Sequence, residues 1–261
     1  MEPQRGLYAL FMLLALGVFL LARRLLPRSD EVRALPWKHR LALAVAAFVG
    51  GVLGGKLPFV LMSGESWLGA AWLQDGKTIT TALAGGYLAV ELTKLYLGIR
   101  VKTGDSFALP LALALAVGRW GCLCNGCCFG VATTLPWGVD FGDGVLRHPT
   151  QIYESLFHFG MAAVLLWLTA RSALPHQRLK LYLIAYGAYR FLTEYIRPEP
   201  EILWGLTFYQ WVSLGLIVGL TAQWLADRRP HAGHLTAHTV ISLPQTQAAS
   251  DRIPACQSEA G

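Results

Sequence analysis

Two blocks of this sequence carry residue types that can do chemistry close together. The first is GRWGCLCNGCCFG, residues 118 to 130, which follows the apolar run ALPLALALAVG and supplies Arg119, Asn125 and four cysteines. The second is RHPTQIYE, residues 147 to 154, which brings Arg147, His148 and Glu154 to the start of the next apolar segment. A guanidinium at the edge of hydrocarbon costs at least about 2.5 kcal/mol when unpaired, so Arg119 requires an anionic partner or water. A lipid phosphate is one such partner. Lysines and arginines also anchor helix ends at the headgroup level without any ligand. Gly118, Gly121, Gly126 and Gly130 favour a ligand, because an anchor has no need of a backbone that permits close approach.

A third set lies on one predicted helix, LKLYLIAYGAYRFLTEYIRP, where Tyr186, Arg190 and Glu194 recur four apart and share one stripe. Arg190 and Glu194 either neutralise each other as structure or form one wall of a substrate cavity, and the cavity is the favoured reading. Glu91 and Lys94, three apart on an earlier segment, read as a structural pair. Lys56, next to Pro58 inside GGVLGGKLPFVL, either snorkels or belongs to a site.

The elements that must position these groups are membrane helices. Hydrophobic residues make up 54% of the 261-residue chain and charged residues 15%, beyond the apolar share of a soluble domain. Spans of about 20 apolar residues fit near 7–22, 41–62, 79–98, 107–125, 152–170, 179–196 and 203–226. The expected fold is all-α, a polytopic integral membrane protein of about seven transmembrane helices over residues 1–229. Residues 230–261 are polar, without an apolar period, and read as a disordered cytoplasmic tail. The first apolar segment lacks a small-residue cleavage site and reads as an anchor.

The net charge of +6 is distributed as topology rather than as a nucleic-acid face. Arg23, Arg24, Arg28, Arg33, Lys38 and Arg40 follow the first span, and further basic residues follow the third, fifth and seventh. The positive-inside rule places all of these in the cytoplasm, the N-terminus outside and the C-terminus inside. Arg119, Arg147 and Arg197 then lie on the extracytoplasmic side. Small residues four apart in the second span, Gly50 and Gly54 with Gly51 and Gly55, predict close helix packing.

Cysteines at 122, 124, 127 and 128 are too tightly grouped for a secreted disulfide framework, and Cys256 stands alone. Cys124 and Cys127 form a CxxC that can exchange disulfides in an oxidising compartment. Zinc is the weaker reading, since structural zinc sites normally use two separated pairs. The cysteines also fit as small packed hydrophobes.

GRWGCLCNGCCFG, RHPTQIYE and YGAYRFLTEYIRPEP resemble, in that order, three blocks of the prolipoprotein diacylglyceryl transferase family, and GGVLGGKLPFVL and GKTITTALAGG fit it more weakly. The resemblance covers roughly residues 48 to 200 and implies an inner-membrane enzyme with an extracytoplasmic active site. Its substrates are then phosphatidylglycerol and the lipobox cysteine of a preprolipoprotein, its by-product is glycerol 1-phosphate, and it needs no cofactor or metal. On this resemblance Arg119 and Arg190 match essential arginines, Asn125 and Gly130 match signature positions, and Tyr186, Glu194, Arg197 and His148 fall on matching positions. Arg119, Arg190, Glu194 and His148 are thus the catalytic candidates, with Asn125, Gly130, Tyr186 and Arg197 binding substrate. The chain departs from the family at Ala84, where a His usually precedes the Gly-Gly pair, and at Cys122 and Cys127, where Asn and Glu usually stand. The outer arm that usually precedes the first span is nearly absent. The alternatives are a membrane thiol-disulfide oxidoreductase using Cys124 and Cys127, or a phospholipid-binding homologue that is non-catalytic or serves another acceptor.

Overall fold

The computed structural model describes residues 4–26, 30–62 and 78–228. The helices are α1 Arg5–Leu25, the short α2 Asp30–Ala34, α3 Trp37–Met62, α4 Ile79–Tyr96, α5 Asp105–Cys124, α6 Thr150–Ala170, α7 Arg178–Thr193 and α8 Phe208–Arg228. A single 3-10 turn, Glu194–Ile196, continues α7. The chain divides into a unit Met1–Ala226, which holds everything discussed below, and a unit Asp227–Gly261. Residues 230–261 with Cys256, residues 63–77 and Arg28 lie outside the described residues.

Seven long helices occupy the places of the seven predicted spans, but they are not equally apolar. Among the described residues α1, α3, α5 and α6 are long and apolar enough to cross a membrane. The structure is therefore that of a helical, multi-pass membrane protein with four such spans. α7 has 16 residues, about 24 Å at 1.5 Å per residue, short of a hydrocarbon core about 30 Å thick. Lys180 and Arg190 lower its hydropathy further, and both residues are buried. α1 is the opposite case. Eight of its leucines are exposed and Ala22 is its one buried residue, as suits a helix that packs one face on α5 and leaves the other to lipid.

Close packing arises where the sequence supplies small residues. α3 lies against α4 with Gly50 and Gly54 facing Gly85, and a Cβ on Gly50 would stand 2.6 Å from the Gly85 carbonyl oxygen. That contact bears out the packing expected of the glycine spacing. The Glu91–Lys94 pair on α4 is also formed, at 2.9 Å. The core proper is built by α5, α6, α7 and α8 around Ala108, Leu109, Ala112, Leu165, Tyr182 and Leu183. Asp105 opens α5 and accepts backbone N–H groups of His176 (2.6 Å) and Arg178 (2.9 Å), which ties the α6–α7 connection to the same end of the core.

The remaining connections are not purely helical. The α5–α6 loop carries an antiparallel hairpin, β1 Val139–Asp140 with β2 Leu146–Arg147, in which Val139 pairs with Arg147. The α7–α8 loop carries another, β3 Glu201–Leu203 with β4 Leu206–Thr207, pairing Glu201 with Thr207.

Candidate functional site

Arg119 is positioned by a stripe of alanines. Ala108, Ala112 and Ala116 recur four apart on α5 and are almost fully buried, which lets α6 approach closely. The Ser155 hydroxyl of α6 donates to the Ala116 carbonyl at 2.8 Å. Arg119 is the next residue on that face, and its guanidinium meets the carboxylate of Glu154, one residue before Ser155, at 2.5 Å. The pair is buried, with side-chain exposures of 7% and 1%, so each charge depends on the other for its stabilisation. The Tyr186 hydroxyl donates to the same carboxylate at 2.7 Å. One turn along α6, His158 Nε2 stands 3.7 Å from Glu154, while its Nδ1 shares a 2.9 Å hydrogen bond with the Tyr182 hydroxyl.

The α7 stripe runs past this pair. Tyr182 and Tyr186 hold its lower part through His158 and Glu154. Further along, Arg190 donates from one terminal nitrogen to Glu194 at 2.7 Å and from Nε to the Thr80 hydroxyl of α4 at 3.2 Å. Glu194 also accepts from the Thr207 hydroxyl at 3.3 Å. Arg197, just past the 3-10 turn, lies 4.0 Å from Glu194 and 3.9 Å from Glu199. Glu194 thus serves two arginines. The Arg190–Glu194 ion pair posed for the stripe is formed, and Tyr186 and Arg190 of the same stripe line a wall.

The wall belongs to a cavity of about 210 Å³ into which Arg119, Arg190 and Arg197 all turn. Tyr186, Tyr209 and Thr80 supply hydroxyls, Phe59 and Ile79 supply apolar surface, and Cys128 and Glu199 complete the polar lining. Arg119 Nε and Arg197 Nε are buried, yet among the described residues neither has a hydrogen-bond acceptor. Buried guanidinium N–H groups are normally matched. A wider, shallow apolar depression on the flank of α3, between Trp37, Leu41, Val49 and Thr93, offers none of this chemistry.

The loop after α5 seals one side of the cavity. Asn125 caps α5, its backbone N–H donating to the Gly121 carbonyl at 3.0 Å. The Cys127 carbonyl accepts from Gln151 at 2.6 Å, and the Cys128 carbonyl accepts from Thr150 at 2.5 Å and from Arg197 at 3.5 Å. Gly130 passes beneath Ile196, where a Cβ would come within 2.6 Å of the Ile196 carbonyl oxygen, so only glycine fits. His148 brackets the same strand through backbone bonds to Gly130 (2.9 Å) and Val131 (3.1 Å), while its ring faces the Tyr153 hydroxyl at 3.3 Å. Arg147 turns outward to Asp143 at 2.5 Å and over the Phe129 ring.

Of the residues singled out from sequence, Arg119, Tyr186, Arg190 and Arg197 meet on the cavity, and Glu194 stands directly behind its arginines. Gly130 and Asn125 shape the loop, and His148 is not among the cavity-lining residues. The CxxC spacing does not describe the thiols either. Cys122, Cys127 and Cys128 converge, while Cys124 stands apart from their cluster. Sequence reading missed Glu154 as the anionic partner of Arg119, and with it Thr80 and Gln151. A carboxylate in the first turns of an apolar helix was the available signal, since such a group needs a partner as much as the arginine does.

A multi-pass helical membrane protein with three guanidinium groups turned into one polar cavity is the class that fold and cavity define. The chain belongs to the prolipoprotein diacylglyceryl transferase family, whose sequence profile matches residues 5–226. It is 32% identical over 211 residues to the phosphatidylglycerol–prolipoprotein diacylglyceryl transferase of Clostridium tetani, covering 75% of this chain and 82% of that one. The protein of the same name from Cupriavidus necator is 34% identical over 246 residues, 87% and 90% of the two chains. Phosphatidylglycerol–prolipoprotein diacylglyceryl transferase 2 of Clostridium perfringens is 28% identical over 226 residues, 82% and 88%. The family profile thus extends well beyond the blocks that carried the resemblance.

Proposed function

We propose that the protein transfers the diacylglyceryl group of phosphatidylglycerol to the lipobox cysteine of a preprolipoprotein, releasing glycerol 1-phosphate. The observation that carries this reading is the pair of unmatched N–H donors, Arg119 Nε and Arg197 Nε, in a cavity that Arg190 also lines. A phosphodiester supplies the missing acceptors, and guanidinium forks match its oxygens. In the reaction the cysteine sulfur attacks the glyceryl carbon, the carbon–oxygen bond to phosphate breaks, and negative charge grows on the departing phosphate. The thiol proton ends on that phosphate, so atoms and charge balance. Arg119, Arg190 and Arg197 stabilise the charge as it develops, and their field also favours the thiolate of the acceptor.

Glu154 and Glu194 act in this scheme by aiming arginines. Tyr186 links the two halves, since it lines the cavity and donates to Glu154. This supports substrate binding by Tyr186 and leaves Asn125 and Gly130 the task of setting the loop. His148, bound to Tyr153 at the hairpin, is assigned to the same loop rather than to the acceptor thiol. The basic connections argue for the cytoplasmic membrane of a bacterium, seven crossings and a cavity on the extracytoplasmic side. The thiol-disulfide reading loses its basis in the CxxC, because Cys124 is outside the thiol cluster.

The test is mass spectrometry of a lipobox-cysteine peptide incubated with the purified protein and phosphatidylglycerol, with release of glycerol 1-phosphate measured in parallel. A diacylglyceryl adduct that disappears in Arg119→Ala is the expected result. An unmodified peptide in the presence of bound phosphatidylglycerol would overturn transfer to this acceptor.

A further inference from the structure

Three thiols to which the transfer chemistry gives no role come together where the end of α5 meets the loop behind it, and one of them, Cys128, lines the cavity. The Sγ atoms of Cys122, Cys127 and Cys128 all lie within 4.8 Å of one another, and all three cysteines are free. The backbone is arranged to bring this about. Cys127 donates its N–H to the Cys122 carbonyl at 3.1 Å, which folds the chain back after α5. Cys128 takes a left-handed conformation, φ 64°, unusual for a residue with a side chain. The carbonyls of Cys127 and Cys128 are held by Gln151 and Thr150 of α6, both almost fully buried. With the carbonyls drawn to α6, the two loop thiols are left to face Cys122.

We propose that Cys122, Cys127 and Cys128 form a thiolate site for a thiophilic divalent cation, Zn(II), on the shoulder of the phosphate cavity. Zinc bound at about 2.3 Å to each sulfur places tetrahedral thiolates about 3.8 Å apart, so the observed cluster needs to contract by less than about 1 Å per pair. Three thiolates and one divalent ion carry a net charge of −1, and Arg119 and Arg197 are the nearest compensating charges at Cys128. The fourth tetrahedral position is left to water or a small ligand. Soft sulfur donors select zinc over the hard cations of the bulk medium. Cys124, the last residue of the same helix, is excluded and serves as the internal control. The site stands on the thiols alone and does not depend on the transferase reading.

The experiment uses the full-length protein in detergent, in a Cys256→Ser background, reduced and titrated anaerobically with Co(II) as the spectroscopic probe. One equivalent of Co(II) giving sulfur-to-cobalt charge-transfer absorption, displaced by Zn(II), is expected. Cys122→Ser, Cys127→Ser and Cys128→Ser should each weaken binding by more than about tenfold, since even outer partners of metal ligands carry about 10–100-fold, while Cys124→Ser should bind as the parent does. A second measurement avoids variants that misfold: Zn(II) should protect the three clustered thiols of the parent from maleimide and leave Cys124 reactive, read by peptide mass spectrometry. Absence of the charge-transfer band, equal protection of Cys124, or a disulfide among the three in protein whose thiols were blocked at lysis would each overturn the assignment.

Discussion

Arg119 and Arg190 face the same cavity but are held by different means, and the difference separates stability from chemistry. Arg119 on α5 is neutralised by Glu154 on α6, 35 positions away in sequence and almost wholly buried. Arg190 is neutralised by Glu194 one turn along its own helix and is steadied again by Thr80. The first pair pins two helices together. The second is local, and its carboxylate is shared with Arg197. One arginine therefore stitches the fold while it faces the cavity, and the other can be perturbed with less harm to the fold.

The largest effect should come from Arg119→Ala, which removes both a phosphate donor and the only described ion-pair partner of Glu154 apart from His158. Turnover should fall by about 10²–10³, the loss seen when one donor to a developing oxyanion is removed. Glu154→Gln should follow with a loss of about 3–5 kcal/mol in unfolding free energy, because it strands a buried guanidinium. Replacing both partners with apolar residues, Arg119→Met with Glu154→Leu, should restore most of that stability and none of the activity. If stability and activity recover together, the division of labour drawn here fails. Glu194→Gln should cost less, about 1.5–3 kcal/mol, since Arg190 keeps Thr80 and Arg197 keeps Glu199 and the Cys128 carbonyl. Melting curves in one detergent, with turnover measured beside them, decide the order.

Smaller effects sharpen the comparison at the loop. Hydrogen bonds from the Cys122 and Cys127 thiols, and then the charges of Arg119 and Arg197, hold the Cys128 thiol well below the ordinary thiol range. Its thiolate should persist as pH falls, so alkylation of Cys128 in metal-free protein should stay nearly level between about pH 8 and 6. An ordinary thiol slows about tenfold per unit over that interval. Cys122→Ala, which removes the donor, should restore the steep profile more than Arg197→Gln does. The least effect belongs to the exposed hairpin. Arg147 holds the Asp143 carboxyl below the usual carboxylate range, so the pair supports the folded hairpin above that range and ceases to as pH falls through the lowered value. Arg147→Ala should therefore shift the melting temperature slightly near neutral pH and not at strongly acid pH, with turnover unchanged.

The contrast between the two arginines also explains what could be read without coordinates. Arg190 and Glu194 lie four apart on a helix, so their pairing follows from the helical repeat alone. The Gly50, Gly54 and Gly85 contact was legible for the same reason, since small residues at helical spacing have one obvious use. Arg119 and Glu154 were both visible as charges at the edges of apolar segments, but which charge meets which depends on how α5 and α6 pack. That depends on the alanine stripe, whose spacing carries no charge pattern to read. The thiols misled through proximity. CxxC pairs Cys124 with Cys127 in sequence, yet α5 ends at Cys124 and the chain reverses beyond it, so Cys127 and Cys128 turn to Cys122 instead. His148 likewise sits within a chemical motif, and only the hairpin shows that its ring is engaged with Tyr153. Apolar length located seven helices, four of which, among the described residues, are long and apolar enough to cross a membrane by length and composition, while α7 has only 16 residues.

The alanine face of α5 also behaves as a ruler. Its marks are Ala108, Ala112 and Ala116, and Arg119 is read off at the end of it. A helix turns by about 100° per residue, so one residue inserted between Ala116 and Arg119 swings the guanidinium a quarter-turn or more away from Glu154 and out of the cavity. The same insertion among residues 133–138, before the hairpin, disturbs Trp137 and its bond to Tyr153 and leaves the cavity-lining Arg119, Tyr186 and Arg190 on their helices. Tolerance to insertion should therefore change abruptly across the twenty residues that separate a membrane helix from the loop it carries.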